Sequence, residues 1–153
     1  MPGEPVFLDT NVLLSATAER RPNHARAQLA LAEWPNRGVT LHTSGQVLRE
    51  YLAVATRPAE ANGLALEPAA AVGNVRALGD RLRLLPEDEA VAQRLTELVS
   101  QFGCIGRQIH DANLVATMLV HGVPRLLTEN ASDFTRFGEL IEVEDLGEIG
   151  GPA

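Results

Sequence analysis

Val6-Phe7-Leu8-Asp9-Thr10-Asn11, close to the N-terminus, runs from three apolar residues straight into an acid, a hydroxyl and an amide. A short apolar run bounded by turn-favouring residues suits a buried strand, although periodicity alone does not separate it from buried helix. As a strand of an α/β sheet it would leave Asp9 at its carboxyl end, the edge where such sheets bind ligands. Asp9 also has an ordinary alternative, as the N-cap of a helix beginning near Asn11.

Outward from this stretch, strand-like and helix-like segments alternate. Residues 5–8, 39–42, 82–85 and 126–128 read as strands, and 141–143 as a weaker fifth. Helices are expected over residues 11–18, 24–34, 69–78, 87–102 and 109–120, with a short one over 132–137. A further helix, ending near residue 56 before Arg57-Pro58, carries an apolar stripe of Val47, Leu48, Tyr51, Leu52 and Ala55, with Thr43-Ser44 placed to cap it. Glu87-Asp88-Glu89 would occupy a first helical turn, where the dipole favours acids. Residues 58–68 read as a loop, and Gly103 and Gly106 as a turn. Residues 109–120 are apolar nearly all round, the mark of a central buried helix. This alternation predicts a parallel sheet covered on both faces. The length of 153 residues fits one domain over 1–153 with a core at about 5–145, and residues 150–153 are expected to fray.

Hydrophobic content of 45% with 22% charged residues is globular composition. The single cysteine, Cys104, allows no internal disulfide and reads as a small buried filler. No apolar run reaches membrane-span length and no signal-peptide pattern is present, so the expected location is cytoplasmic, with no membrane partner. The net charge of −7 argues at first against a nucleic-acid partner, but five of the acids crowd residues 139–148. Residues 1–138 hold 15 acids against 13 bases, and setting aside Asp9, Glu50, Asp111 and Asp133 leaves that body at +2. All 13 bases are arginine. The absence of lysine excludes a P-loop or Schiff-base lysine, and arginine suits bidentate phosphate contacts, although genomic compositional bias explains the same pattern.

Each of those four acids has a structural explanation when taken alone. Asp9 can cap a helix, Asp111 can compensate a helix dipole, Glu50 can reach solvent from the border of an apolar face, and Asp133 can sit in a turn capped by Asn130 or Ser132. In the expected fold, however, Asp9, Asp111 and Asp133 fall at strand carboxyl ends or helix amino ends. Carboxylates about 6 Å apart repel by roughly 3 kcal/mol per pair at an effective dielectric near 20. Four together would offset most of a typical stability of about 5–15 kcal/mol, so they coexist only with raised pKa values or a bound cation. Oxygen ligands favour Mg²⁺, or Mn²⁺, over zinc.

Leu8-Asp9-Thr10-Asn11, Thr43-Ser44 with Gln46 and Glu50, Ile109-His110-Asp111-Ala112 with Ala116, and Leu127-Thr128-Glu129-Asn130 through Asp133-Phe134 resemble, in order and spacing, the successive motifs of the PIN-domain nucleases. The likeness runs from about Val6 to Val143 and is greatest to the compact VapC-type toxins of type II toxin–antitoxin pairs. It implies a three-layer helix–sheet–helix sandwich with a mainly parallel sheet of four to five strands. It also implies a Mg²⁺-dependent endoribonuclease, a small antitoxin partner and a homodimer. Asp9, Glu50, Asp111 and Asp133 match the catalytic acids, with Asp9, Asp111 and Asp133 as metal ligands. Thr10, Asn11, Thr128 and Asn130 match positions lining the site; Asn130 stands where some members carry aspartate. Arg107, just before the helix of Asp111, is a candidate phosphate contact. His110 reads as packed or solvated, and Trp34 and Tyr51 are too few for a base-stacking platform.

Two competing readings go with this one: a PIN-like RNA-binding or scaffold module with little activity, and a solitary RNA-processing nuclease. A haloacid-dehalogenase-like phosphatase ranks below them, because Asn11 stands where that family uses its second aspartate.

Overall fold

The computed structural model describes residues 4–149; residues 150–153, expected to fray, lie outside that range. The opening stretch is indeed a strand, β1 (Pro5–Leu8), with Val6, Phe7 and Leu8 all buried. It runs into α1 (Thr10–Thr17), followed by α2 (His24–Glu33), β2 (Thr40–Ser44), α3 (Gly45–Thr56) and α4 (Pro68–Gly79). Then come β3 (Arg83–Leu85), α5 (Glu89–Phe102), α6 (Gln108–Val120), β4 (Arg125–Thr128) and β5 (Glu142–Asp145). Short 3-10 turns occupy Pro35–Arg37, Ala59–Ala61 and Ala131–Phe137, the last where a short helix is expected.

All five strands are parallel, in the order β3-β2-β1-β4-β5. A parallel neighbour needs a crossover, and the helices supply it. They fall into two packed groups: α1 against α2 and α3 with α4 on α3, and α5 against α6. The result is the expected α/β sandwich. Its central helix α6 buries Ala112, Leu114, Val115, Ala116, Thr117 and Met118, as its all-round apolar sequence requires.

This strand order places the site. The chain builds β1, β2 and β3 outward in one direction, then returns to add β4 on the other flank of β1. The crevice where the direction reverses lies beyond the carboxyl ends of β1 and β4, the position α/β sheets use for ligands. Asp9 follows β1 there, with its N–H bonded to the Leu127 carbonyl of β4 at 3.1 Å.

Some local expectations need correction. Ser44 is the residue before α3, but its hydroxyl caps nothing and is buried without a partner. The Gln46 N–H is taken instead by Glu87 Oε2 at 2.7 Å, from 41 residues away. Glu87 therefore lies outside α5, whose cap is Asp88, accepting the Val91 N–H at 3.1 Å. Neither Asn130 nor Ser132 caps the turn that follows β4; it has no side-chain cap. Gly103 ends α5 with φ of 62°, a left-handed conformation that glycine adopts without a Cβ penalty.

Tyr51 is wholly buried, so it offers no stacking surface. Its hydroxyl lies 2.7 Å from Thr17 Oγ1 and accepts from Asn74 Nδ2 at 3.0 Å, joining α1, α3 and α4. Tyr51→Phe removes a hydrogen bond from each of the half-buried Thr17 and Asn74, and is expected to lower stability by about 1–3 kcal/mol in urea unfolding. An unchanged midpoint would mean that water replaces the hydroxyl.

Candidate active site

β1 and β4 end side by side, and their first polar residues knit the crevice floor. Asp9 Oδ1 accepts the Thr10 N–H at 2.7 Å, so Asp9 itself caps α1, and Oδ2 accepts the Thr128 hydroxyl at 2.8 Å. Thr128 Oγ1 in turn accepts from Asn11 Nδ2 at 3.2 Å and from the Asn130 N–H at 3.0 Å. Asn11 Oδ1 accepts the Glu129 N–H at 3.0 Å. Thr128 is fully buried and acts beneath the cleft, orienting Asp9, rather than on its wall. The neighbouring Glu129 is engaged elsewhere: it pairs with Arg21 at 3.1 Å and accepts the Ser15 hydroxyl.

Above this floor opens a cleft of about 630 Å³ lined by Asp9, Glu50, Asp111 and Asp133 together. Glu50 comes from the middle of α3 and accepts the Thr10 hydroxyl at 2.9 Å. Asp111 comes from the first turn of α6, and Asp133 from the first turn of the 3-10 segment after β4. Thr10, Asn11, Asn130 and Arg107 also line the cleft, and so does the exposed His110. Sequence reasoning missed Arg57. It stands on this wall too, as the extended residue that follows the last turn of α3, a place that helical spacing from Glu50 does not fix.

The charge distribution is unbalanced. No ion pair among the described residues neutralises any of the four carboxylates. Burial pushes the Asp9 carboxyl up to about 6, with Glu50 and Asp133 adding repulsion against the lowering effect of the Thr128 and Thr10 hydrogen bonds. Asp111 is also pushed up to about 6, by burial first and then by Asp9, Asp133 and Glu50, with His110 opposing. Two acids titrating near 6 in one cleft are what uncompensated, mutually repelling carboxylates produce.

The donors suit a hard divalent cation, being carboxylate oxygens with nearby hydroxyl and amide oxygens. Among the described residues, no three His, Cys, Asp or Glu side chains stand together as a ready-made metal cage.

A doubly flanked parallel sheet with an acid-lined cleft at its switch point defines the class of molecule. The family model of the PIN domain matches residues 6–140, and the chain belongs to that family. Among solved structures, VapBC-1 from nontypeable Haemophilus influenzae has a TM-score of 0.68 at 17% identity, covering 94% of this chain and 99% of that one. VapBC2 from Rickettsia felis, bound to a promoter DNA fragment, has a TM-score of 0.65 at 17% identity over 92% and 98% of the two chains. Mycobacterium tuberculosis VapC20, a sarcin–ricin loop cleaving toxin, has a TM-score of 0.61 at 19% identity over 79% and 86%. At such identities the likeness is one of fold. No curated protein matches the sequence. Among the described residues no helix is long and apolar enough to cross a membrane.

Proposed function

We propose that this protein is a metal-dependent endoribonuclease and the toxin of a toxin–antitoxin pair. The observation that carries the reading is the meeting of Asp9, Glu50, Asp111 and Asp133 in one cleft, none of them in an ion pair among the described residues. Structural scaffolding gains nothing from such repulsion; binding of a divalent cation relieves it. Asp9 and Asp111 would hold Mg²⁺ or Mn²⁺, with Asp133 adding charge to the same grip. The cation, when bound, would supply an acidified water and stabilise charge on the leaving oxygen.

The chain's own residues have separable tasks. Asp9 is aimed by Thr128 and the Thr10 N–H, so its free lone pairs face the cleft in a fixed direction. Glu50, steadied by Thr10, is the candidate base that takes a proton from the attacking water. Arg57 and Arg107, on the cleft wall and with no carboxylate partner among the described residues, would contact phosphates and bring a polyanion to an acidic site. The same surplus of negative charge suits a cationic plug, and a small antitoxin offering an arginine would inhibit by occupying the cleft. Support for that partner comes from the neighbours, several of which are toxin–antitoxin complexes. A second copy of this chain is the other proposed partner, and the cytoplasm the proposed site of action.

The test is cleavage of total cellular RNA by the purified chain. Strand breaks that require Mg²⁺ or Mn²⁺ and stop with EDTA are expected. Metal-independent cutting would sink the mechanism, and RNA binding without cutting would move the protein to the scaffold class. A short antitoxin-like reading frame beside this one is expected; its absence favours a solitary processing nuclease.

A further inference from the structure

Glu50 and Asp111 face one cleft from different helices, yet those helices are not a principal packing pair. α3 packs chiefly on α1 and α4, and α6 on α5. What joins α3 to α6 beside the cleft is a closed ring of polar groups. Gln46 lies one helical turn before Glu50 and is buried, with 5% of its surface exposed. Its Nε2 donates to the carbonyl oxygen of His110, the residue before Asp111, at 2.8 Å. Its Oε1 accepts from Asn113 Nδ2 at 2.7 Å. The second proton of that amide goes to Glu87 Oε1 at 2.9 Å, and Glu87 Oε2 returns to the Gln46 N–H at 2.7 Å. Gln46 Nε2, Gln46 Oε1 and Asn113 Nδ2 each have a partner there, so the two amides constrain one another. It leaves α3 one turn from Glu50 and enters α6 one residue from Asp111.

We propose that Gln46 is a positioning residue which, through Asn113 and Glu87, sets the separation of the Glu50 and Asp111 carboxylates and thereby the cleft's grip on a divalent cation. This rests on the metal-site reading above. The amide type matters: Gln46 must donate to one partner and accept from the other, which neither methionine nor glutamate can do.

The probe is Mn²⁺ alone, titrated into the full chain and followed by electron paramagnetic resonance, well below the unfolding temperature. Gln46→Met and Gln46→Glu are expected to bind Mn²⁺ about 10–100-fold more weakly than wild type, the range typical of groups that orient metal ligands. Glu87 is exposed, and Glu87→Gln reverses one donor–acceptor match in the ring. It is expected to weaken binding in the same direction, and it carries the test where the Gln46 variants fail to fold. Tyr51→Phe, which breaks a buried network elsewhere, is expected to lower stability while leaving Mn²⁺ affinity within about twofold. Wild-type affinity retained in Gln46→Met, or in Glu87→Gln where that variant carries the test, would overturn the positioning role while the metal site stands. Absence of Mn²⁺ binding by wild type itself would overturn both.

Discussion

Asp9→Asn is expected to abolish RNA cleavage while making the metal-free protein more stable, two effects of opposite sign from one atom's change. The catalytic half follows from removing the charge that Asp9 would contribute to the proposed cation site. An interaction of about 4 kcal/mol made with the reacting centre corresponds to roughly a thousandfold in rate. The stability half follows from the raised carboxyl. Holding Asp9 ionised at neutral pH, when its folded value is about 6 against a usual 3.8, opposes folding by about 3 kcal/mol. Asparagine removes that penalty but meets a donor conflict. Asp9 accepts on both oxygens, from the Thr10 N–H and the Thr128 hydroxyl, whereas an amide accepts on one only. Thr128 Oγ1 is already taking protons from Asn11 and Asn130, so it is poorly placed to accept a third. The mismatch costs about 1–2 kcal/mol, leaving a net gain of roughly the same size. Denaturant unfolding in EDTA at pH 7.5 measures the gain, and a discontinuous RNA assay measures the loss. A variant that still cuts within about tenfold of wild type would remove Asp9 from the mechanism. One that is less stable than wild type would show the cap role outweighing the repulsion.

The readability of this site in the sequence followed the range of the interactions involved. β1 was legible because Val6, Phe7 and Leu8 are buried as one local run, and its boundary with α1 because Asp9 is an N-cap of recognisable type. Asp111 was legible as the acid near the amino end of a helix that is otherwise apolar nearly all round. Arg57 was not legible: the helix does end at Thr56, as expected, and Arg57 follows it as an extended cap residue, so helical periodicity does not say that it faces the cleft of Glu50. Glu87 lay beyond local reasoning altogether. Its ordinary place in a first-turn acidic triplet matches the dipole rule, yet in the fold it caps a different helix and leaves Ser44 without the role its position suggested. A residue that satisfies one local rule carries no sign that a distant partner has claimed it. The convergence of the four acids is intermediate: no spacing encodes it, the strand order that brings the carboxyl ends of β1 and β4 together is visible only in the fold, and resemblance to the PIN domain supplied the expectation that the acids share a site.

Stability without metal is expected to fall as pH rises from about 4 to about 6.5, and added Mg²⁺ to reverse the loss only at the upper end. Asp9 and Asp111 each have a folded value near 6, above the 3.8 of an unperturbed aspartate. Between those values the folded chain keeps protons that the unfolded chain has released. More protons on the folded side means that ΔG of unfolding declines with pH through that window, then levels once both carboxyls are ionised. Asp9 accounts for about 3 kcal/mol of the decline, and Asp111, more open to solvent, for less. In a chain of this size about 3 kcal/mol corresponds to roughly 6–12 °C in unfolding temperature. A cation must displace the same protons, so 10 mM Mg²⁺ is expected to raise the unfolding temperature strongly at pH 7.5 and hardly at pH 5. The background from the other acids is removed by taking the difference between wild type and Asp9→Asn. That difference should itself change with pH, small at pH 4.5 and largest above pH 6.5, where only the wild type carries the extra charge. A difference constant across this range would mean that Asp9 titrates normally, and the case for an uncompensated carboxylate cluster would go with it.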